Sequence, residues 1–124
     1  MDFKSNIPIY LQVIEDIERK IIIGEIELGS KLPSSRELAL QYQINPNTAA
    51  RVYNELEQRK LSFTKRGIGT FVTEDAEVIE TAKKELVTNI LQELLQRVQE
   101  LGIHREEFMS MIDTVFSKEN EEKE

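Results

Sequence analysis

Asn47, Arg51, Asn54 and Gln58 recur every three or four residues along the stretch 46–60, with Thr48 on their flank. At 3.6 residues per turn that spacing gathers them on one face of a helix. The residue types suit base-edge chemistry. Arginine can bond guanine O6 and N7 together, asparagine can bond adenine N6 and N7, and threonine can touch a thymine methyl. The opposite face carries Ala49, Val52, Tyr53 and Leu56 at i, i+3, i+4 and i+7, an apolar stripe that must face a core. Two further groups suit phosphate rather than bases: Ser34-Ser35-Arg36, and Lys65-Arg66-Gly67-x-Gly69. The three groups together point to a surface for double-stranded DNA.

The elements that position these residues follow from local signals. Ser34 precedes Glu37 by three residues, the spacing of a capping box. It predicts a helix over 34–42. After Gln43-Ile44, Asn45 is a second N-cap and Pro46 a first-turn proline, which opens a helix over 46–60. Helix, tight turn, helix is the arrangement that lays a second helix in the major groove, its N-terminal turns deepest. Asn47, Thr48 and Arg51 are therefore the expected base readers, while Asn54 and Gln58 lie further along, toward the backbone. Arg36 falls in the first turn of the preceding helix, which crosses the DNA backbone, so a phosphate contact is expected there. Ser34, Ser35 and Asn45 stand beside it with amides and hydroxyl or amide side chains to offer.

A first helix is expected over Pro8–Ile23, with Tyr10, Val13, Ile14, Ile17 and Ile21 inward and Gln12, Glu15, Asp16, Glu18 and Arg19 largely outward. Gly24 is its natural stop. A turn-rich link then leads to Lys31-Leu32, a short strand. Residues 61–72 read as a β-hairpin, with Leu61 and Phe63 alternating against Ser62 and Thr64. Lys65 and Arg66 form a basic tip that either grips phosphates or enters the minor groove, with Gly67 and Gly69 permitting close approach. Three helices and a hairpin make a winged helix-turn-helix over residues 1–73.

From Asp75 the period becomes helical again. Val78, Ile79, Ala82, Leu86, Val87, Ile90, Leu91, Leu94, Leu95, Val98 and Leu101 form a long stripe that stops at Gly102. A second, shorter stripe is Phe108, Met111, Ile112 and Val115, and residues 119–124 are a charged tail expected to fray. Two antiparallel helices cannot enclose so many aliphatic side chains alone. The same hairpin of a second subunit is the expected partner, since two-fold homodimers are the commonest soluble oligomers. Leu86, Ile90, Leu94, Val98, Phe108 and Ile112 are the expected interface, and the alternative is that the helices fold back on their own winged helix. The fold class is thus mainly α with a small β-hairpin: a winged helix-turn-helix followed by a two-helix dimerisation hairpin over 74–118.

The net charge of −7 opposes DNA binding if taken whole, because affinity rests on neutralising phosphates. The distribution removes the objection. Residues 74–124 carry 6 Lys/Arg against 14 Asp/Glu, whereas residues 30–73 carry 7 against 3, a local net of +4. A chain of 124 residues suffices for one compact domain and a short appendage. It has no cysteine, so neither disulfides nor cysteine metal sites are available. No apolar run approaches the roughly 18 residues of a membrane span, and the first residues lack a signal peptide's apolar segment. A cytoplasmic protein without metal or cofactor is expected. His104 is the only histidine and precedes a helical stretch, and no phosphate-binding glycine loop is present, so catalysis is not expected. The competing reading is a winged-helix protein-interaction module. That module would need neither the basic tip nor the Asn47/Arg51 face.

The chain resembles the GntR family of bacterial transcription regulators over residues 7–73. The resemblance rests on Gly24-x-x-x-x-Gly29-x-x-Leu32-Pro33-Ser34-x-Arg36-x-Leu38-Ala39, then Asn45-Pro46-Asn47-Thr48, then Lys65-Arg66-Gly67-x-Gly69-Thr70-Phe71-Val72. The Asn-Pro-Asn-Thr turn and short C-terminal part look like the YtrA-type subfamily. That resemblance implies a homodimeric repressor of a palindromic operator, with a helical hairpin in place of a large ligand-binding domain. It also implies an ABC-type transporter operon as target. Separately, an apolar cleft between the dimer halves and the winged helices could hold a small effector, which nothing in the sequence identifies. Two positions depart from the family pattern. Lys60 stands where the family usually has glycine, and Ala50 stands where many members carry a base-contacting arginine, so that contact cannot be copied onto this chain.

Overall fold

A computed structural model of the chain describes residues 1–123, with side chains through Glu121. The order is α1 (Ile9–Ile22), α2 (Ser35–Tyr42), α3 (Pro46–Gln58), β1 (Ser62–Lys65), β2 (Gly69–Val72), α4 (Ala76–Glu100) and α5 (Arg105–Lys123). Residues 1–83 and 84–124 form two separate compact units.

In the first unit the helix ends are set by side chains and by left-handed residues. The Ser34 hydroxyl accepts the Glu37 amide and the Glu37 carboxylate accepts the Ser34 amide, both at 3.1 Å, which starts α2 as its capping box requires. These bonds, the backbone one first, hold the Glu37 carboxyl below its ordinary range. Asn45 accepts the Asn47 amide at 2.8 Å, and Pro46 opens α3. The tight turn between them is made by Gln43 at φ +54, where Ile44 donates to the Ala39 carbonyl at 2.9 Å.

The same device ends α3. Lys60 takes φ +64, and Leu61 donates back to the Leu56 carbonyl at 2.9 Å. The helix therefore stops at Gln58, two residues before the expected end at 60. The αL residue also breaks the alternation into the wing. Leu61 is buried ahead of the strand, and the next residue, Ser62, is buried with its partner Val72, whereas Phe63 is only half-buried. Phe63 instead stacks on its cross-strand partner Phe71, ring centroids 5.8 Å apart, on the other side of the hairpin. The expected face of Phe63 is thus reversed. Lys31 pairs with Phe71 as an isolated bridge, and Leu32 donates to the Thr70 carbonyl at 2.8 Å, so the 30–32 segment lies along the wing as a third edge.

The core joins Val13, Ile14, Ile17 and Ile21 of α1, Leu38 of α2, Ala49, Val52 and Leu56 of α3, and Leu32, Leu61 and Val72. Ile79 and Ala82 of the first α4 turns complete it. Two α1 residues expected outside are buried. Gln12 is only 8% exposed because its amide binds the Lys4 and Ile7 carbonyls at 2.9 and 2.8 Å, anchoring the N-terminal segment. Glu18 is 6% exposed and pairs with Arg59 beyond the end of α3 at 3.6 Å. Asp16 links α1 to α2 through the Tyr42 hydroxyl at 2.6 Å. Burial opposes the Asp16 carboxylate, but bonds from Tyr42, Arg19 and Lys20 together outweigh it and hold the group below its ordinary value.

In the second unit α4 closes on Gly102 at φ +74, with Gly102 donating to Gln99 at 3.0 Å. No described residue of this unit is fully buried. Leu86, Val98, Phe108 and Ile112 are half-buried, whereas Ile90 is 60% exposed, Val115 61% and Phe116 63%. The α5 helix continues through residues 119–123, where a frayed tail was expected, because Glu and Lys are good helix formers. Glu124 lies outside the described residues. Among the described residues no helix is long and apolar enough to cross a membrane.

Candidate nucleic-acid interface

The buried face of α3 is Ala49, Val52, Tyr53 and Leu56, which fixes its outer edge. Asn47, Ala50, Arg51, Asn54 and Gln58 are exposed along that edge, and Thr48 is half-buried beside them. The edge is held from behind. Tyr53 reaches out of the core stripe to donate its hydroxyl to the Pro33 carbonyl, one residue before the α2 cap. Burial, then the nearby Glu37 charge, pushes the Tyr53 phenol well above its ordinary value, so it stays a donor. Pro33 follows Leu32, which is bonded to Thr70 of the wing. A short path of hydrogen bonds therefore links α3, the start of α2 and the wing into one rigid support.

Ser34 spends its hydroxyl and amide on Glu37, which leaves Ser35, half-buried, and Arg36, exposed, as the outward groups of the α2 start. Arg36 makes no ion pair among the described residues, unlike Arg19 and Arg59, which are tied to Asp16 and to Glu18 and Glu55. Asn45 is exposed, its side-chain oxygen taken up by the α3 cap.

At the wing, Ile68 donates to the Lys65 carbonyl at 2.9 Å, a four-residue turn whose third residue, Gly67, takes φ +78. Arg66 is exposed at this tip. Lys65 folds back, its ammonium 4.9 Å from the Phe71 ring centroid and 5.7 Å from that of Phe63. Gly69, at φ +147, has Lys31 pressed against it: a Cβ there would stand 2.7 Å from Lys31 Cε. Its smallness serves the packing of Lys31 within this chain. Gly67 has open space around it and supplies backbone conformation alone.

Arg51 holds a feature that spacing did not foretell. Its guanidinium carbon lies 3.7 Å from the ring centroid of Tyr10, in the first turn of α1. The helical period assigns Tyr10 to the core, and it does pack half-buried against it. Its other role depends on a residue 41 positions away, which no spacing rule connects. Sequence pattern likewise marks Lys31 only as part of a strand, not as the side chain packed on Gly69. Among the described residues no cluster of histidine, cysteine or carboxylates has the makings of a metal site.

Comparison with known proteins fits this geometry. Residues 9–72 match the model of the bacterial regulatory proteins of the gntR family. The chain is 40% identical over 112 residues to the uncharacterised HTH-type transcriptional regulator YhcF of Bacillus subtilis, covering 90% of this chain and 93% of that one. It is 33% identical to the HTH-type transcriptional repressor YtrA of the same organism, covering 93% and 89%. A solved GntR family transcriptional regulator from Listeria monocytogenes superposes with a TM-score of 0.85 at 34% identity, covering 90% and 98%. Taken with the exposed, rigidly backed edge of α3, these matches place the chain in the GntR family, of YtrA-like type, as a transcription regulator and not an enzyme, whose first unit is a DNA-binding winged helix-turn-helix.

Proposed function

We propose that the chain is a homodimeric repressor that reads a palindromic operator with α3 in the major groove of each half-site. The observation that carries this reading is the outer edge of α3, where Asn47, Thr48 and Arg51 lead from a capped N-terminus and Tyr53 fixes the helix from behind. Helix-turn-helix docking puts those first turns against base edges. Arg36, Ser34, Ser35 and Asn45 line the backbone side, and Lys65, Arg66, Gly67 and Gly69 form the wing that meets phosphates or the minor groove. Lys65, drawn over the aromatic pair, presents its charge along the wing, while Arg66 leads at the tip.

The second unit supplies the pairing. A second unit with no buried residue among those described and with Ile90, Leu94, Val115 and Phe116 in solvent fits burial against its own copy. Leu86, Val98, Phe108 and Ile112 extend that interface. A two-fold pair of α3 helices would match a palindromic operator, since operator symmetry mirrors protein symmetry. The YtrA-like resemblance favours an operon for an ABC-type transporter as target. Near the α4–α5 turn, at the edge of that interface where it shares Val98 and Phe108, an open cleft of about 310 Å³ is lined also by Leu95, Gln99, Ile103, Arg105 and Met109. A small effector seated there would act by favouring one of two dimer arrangements.

Selection from a randomised duplex pool tests the reading. It should enrich a palindrome, and Arg51→Ala should cost roughly 1–3 kcal/mol on that site while relaxing base preference. Enrichment of no sequence, or of a single asymmetric half-site, would contradict it.

A further inference from the structure

The Arg51 guanidinium carbon lies over the Tyr10 ring, 3.7 Å from its centroid, a contact between the first turn of α1 and the second turn of α3. A guanidinium seated on one ring gives up one flat face, while its five N–H donors lie in its own plane and stay available. Arg51 forms no ion pair among the described residues, so that donor edge has no competing carboxylate. The base of the stack is firm, since Tyr10 is half-buried and packed against the core cluster. An arginine on an exposed helix edge otherwise spreads over many rotamers, and ordering it on DNA costs affinity. Ala50, the exposed neighbour, carries no hydrogen-bonding group for a guanine edge.

From this geometry we propose that Tyr10 is a specificity-determining positioning residue: its ring holds the Arg51 guanidinium in the plane from which it reads a guanine. The proposal rests on the base-reading role of Arg51. It assigns Tyr10 no contact with DNA of its own. Removing the ring frees Arg51 and weakens the selected site, whereas removing only the hydroxyl changes nothing.

The test is a double-mutant cycle on the full chain, read by fluorescence anisotropy with the palindromic duplex from the pool selection and with a random duplex of equal length. Tyr10→Leu should weaken the selected duplex about two- to five-fold, the size of an exposed cation–π contact. Random-duplex binding should stay unchanged. Tyr10→Phe should match wild type, and in an Arg51→Ala background Tyr10→Leu should cost nothing further. Tyr10→Met, similar in volume, repeats the measurement if Tyr10→Leu lowers the melting temperature. Independent, additive losses for Tyr10 and Arg51 would overturn the proposal. So would a loss in Tyr10→Phe equal to that in Tyr10→Leu, which would mean a hydroxyl–phosphate contact, or tighter binding by Tyr10→Leu, which would mean the ring withholds Arg51. Equal weakening of selected and random duplexes by Arg51→Ala is a different failure and would overturn the base-reading role itself.

Discussion

Lys60→Gly should make the winged helix-turn-helix more stable, although it deletes a charged side chain and adds no contact. Lys60 is exposed at φ +64, immediately past α3, where Lys60 and Leu61 donate to the Glu57 and Leu56 carbonyls at 3.0 and 2.9 Å. A side chain in the left-handed region costs about 1–2 kcal/mol. Glycine removes that strain but frees the unfolded chain at a cost of about 0.5–1 kcal/mol. At the midpoints of these ranges the balance is a gain of about 0.75 kcal/mol. For a unit of about this size, that is a rise of roughly 3–6 °C in melting temperature. Thermal unfolding followed by circular dichroism, at one fixed protomer concentration, measures it. Ala50→Gly is the control. Ala50 is exposed inside α3 with ordinary helical backbone, so the same replacement there should destabilise by about 0.5–1 kcal/mol. An unchanged or lower melting temperature for Lys60→Gly would refute the strain argument.

Other outcomes follow from the same geometry. Ser34→Ala removes the hydroxyl that caps α2 and should cost about 0.5–2 kcal/mol in thermal unfolding, with Ser34→Gly costing less. The Asp16 carboxyl is held below its ordinary value of 3.8 in the folded chain, so its contribution is present above that value and is lost as pH falls through the lowered one. Tyr42→Phe removes one of the bonds responsible, so stability should depend less on pH below about 4 than in wild type. Acid unfolding of the two proteins side by side checks this. Leu94→Glu places a charge on the apolar face of the second unit and should give monomers in sedimentation equilibrium while leaving the melting of the first unit in place.

Much of this architecture is visible in the residues because its signals are local. The Ser34–Glu37 pair, Asn45-Pro46 and the period of Ala49, Val52, Tyr53 and Leu56 each state an element and its buried face within a few positions. What escapes is non-local or depends on backbone rarely taken by the residue present. Lys60 and Gln43 both adopt left-handed backbone where glycine would have announced the turn, so the end of α3 and the facing of Phe63 are misjudged from the letters alone. Gln12 and Glu18 count as polar in any periodicity, yet both are buried, because Lys4, Ile7 and Arg59 satisfy them. At the candidate site, the outer edge of α3 follows from the inner one. The stack of Arg51 on Tyr10, the folding of Lys65 onto Phe71 and the pressing of Lys31 on Gly69 are tertiary events without a sequence period.

The claim that the locally basic segment 30–73 grips DNA in pairs is tested most directly by the salt dependence of binding to the selected palindrome. If Arg36, Lys65 and Arg66 of each protomer neutralise phosphates, about six counterion-releasing contacts form, and log K should fall against log salt with a slope near −5. Affinity should then drop about 10³-fold between roughly 50 and 200 mM salt, and the slope should shrink by about 1–2 in Arg36→Ala. A flat salt response, or a slope that Arg36→Ala leaves unchanged, would contradict the account.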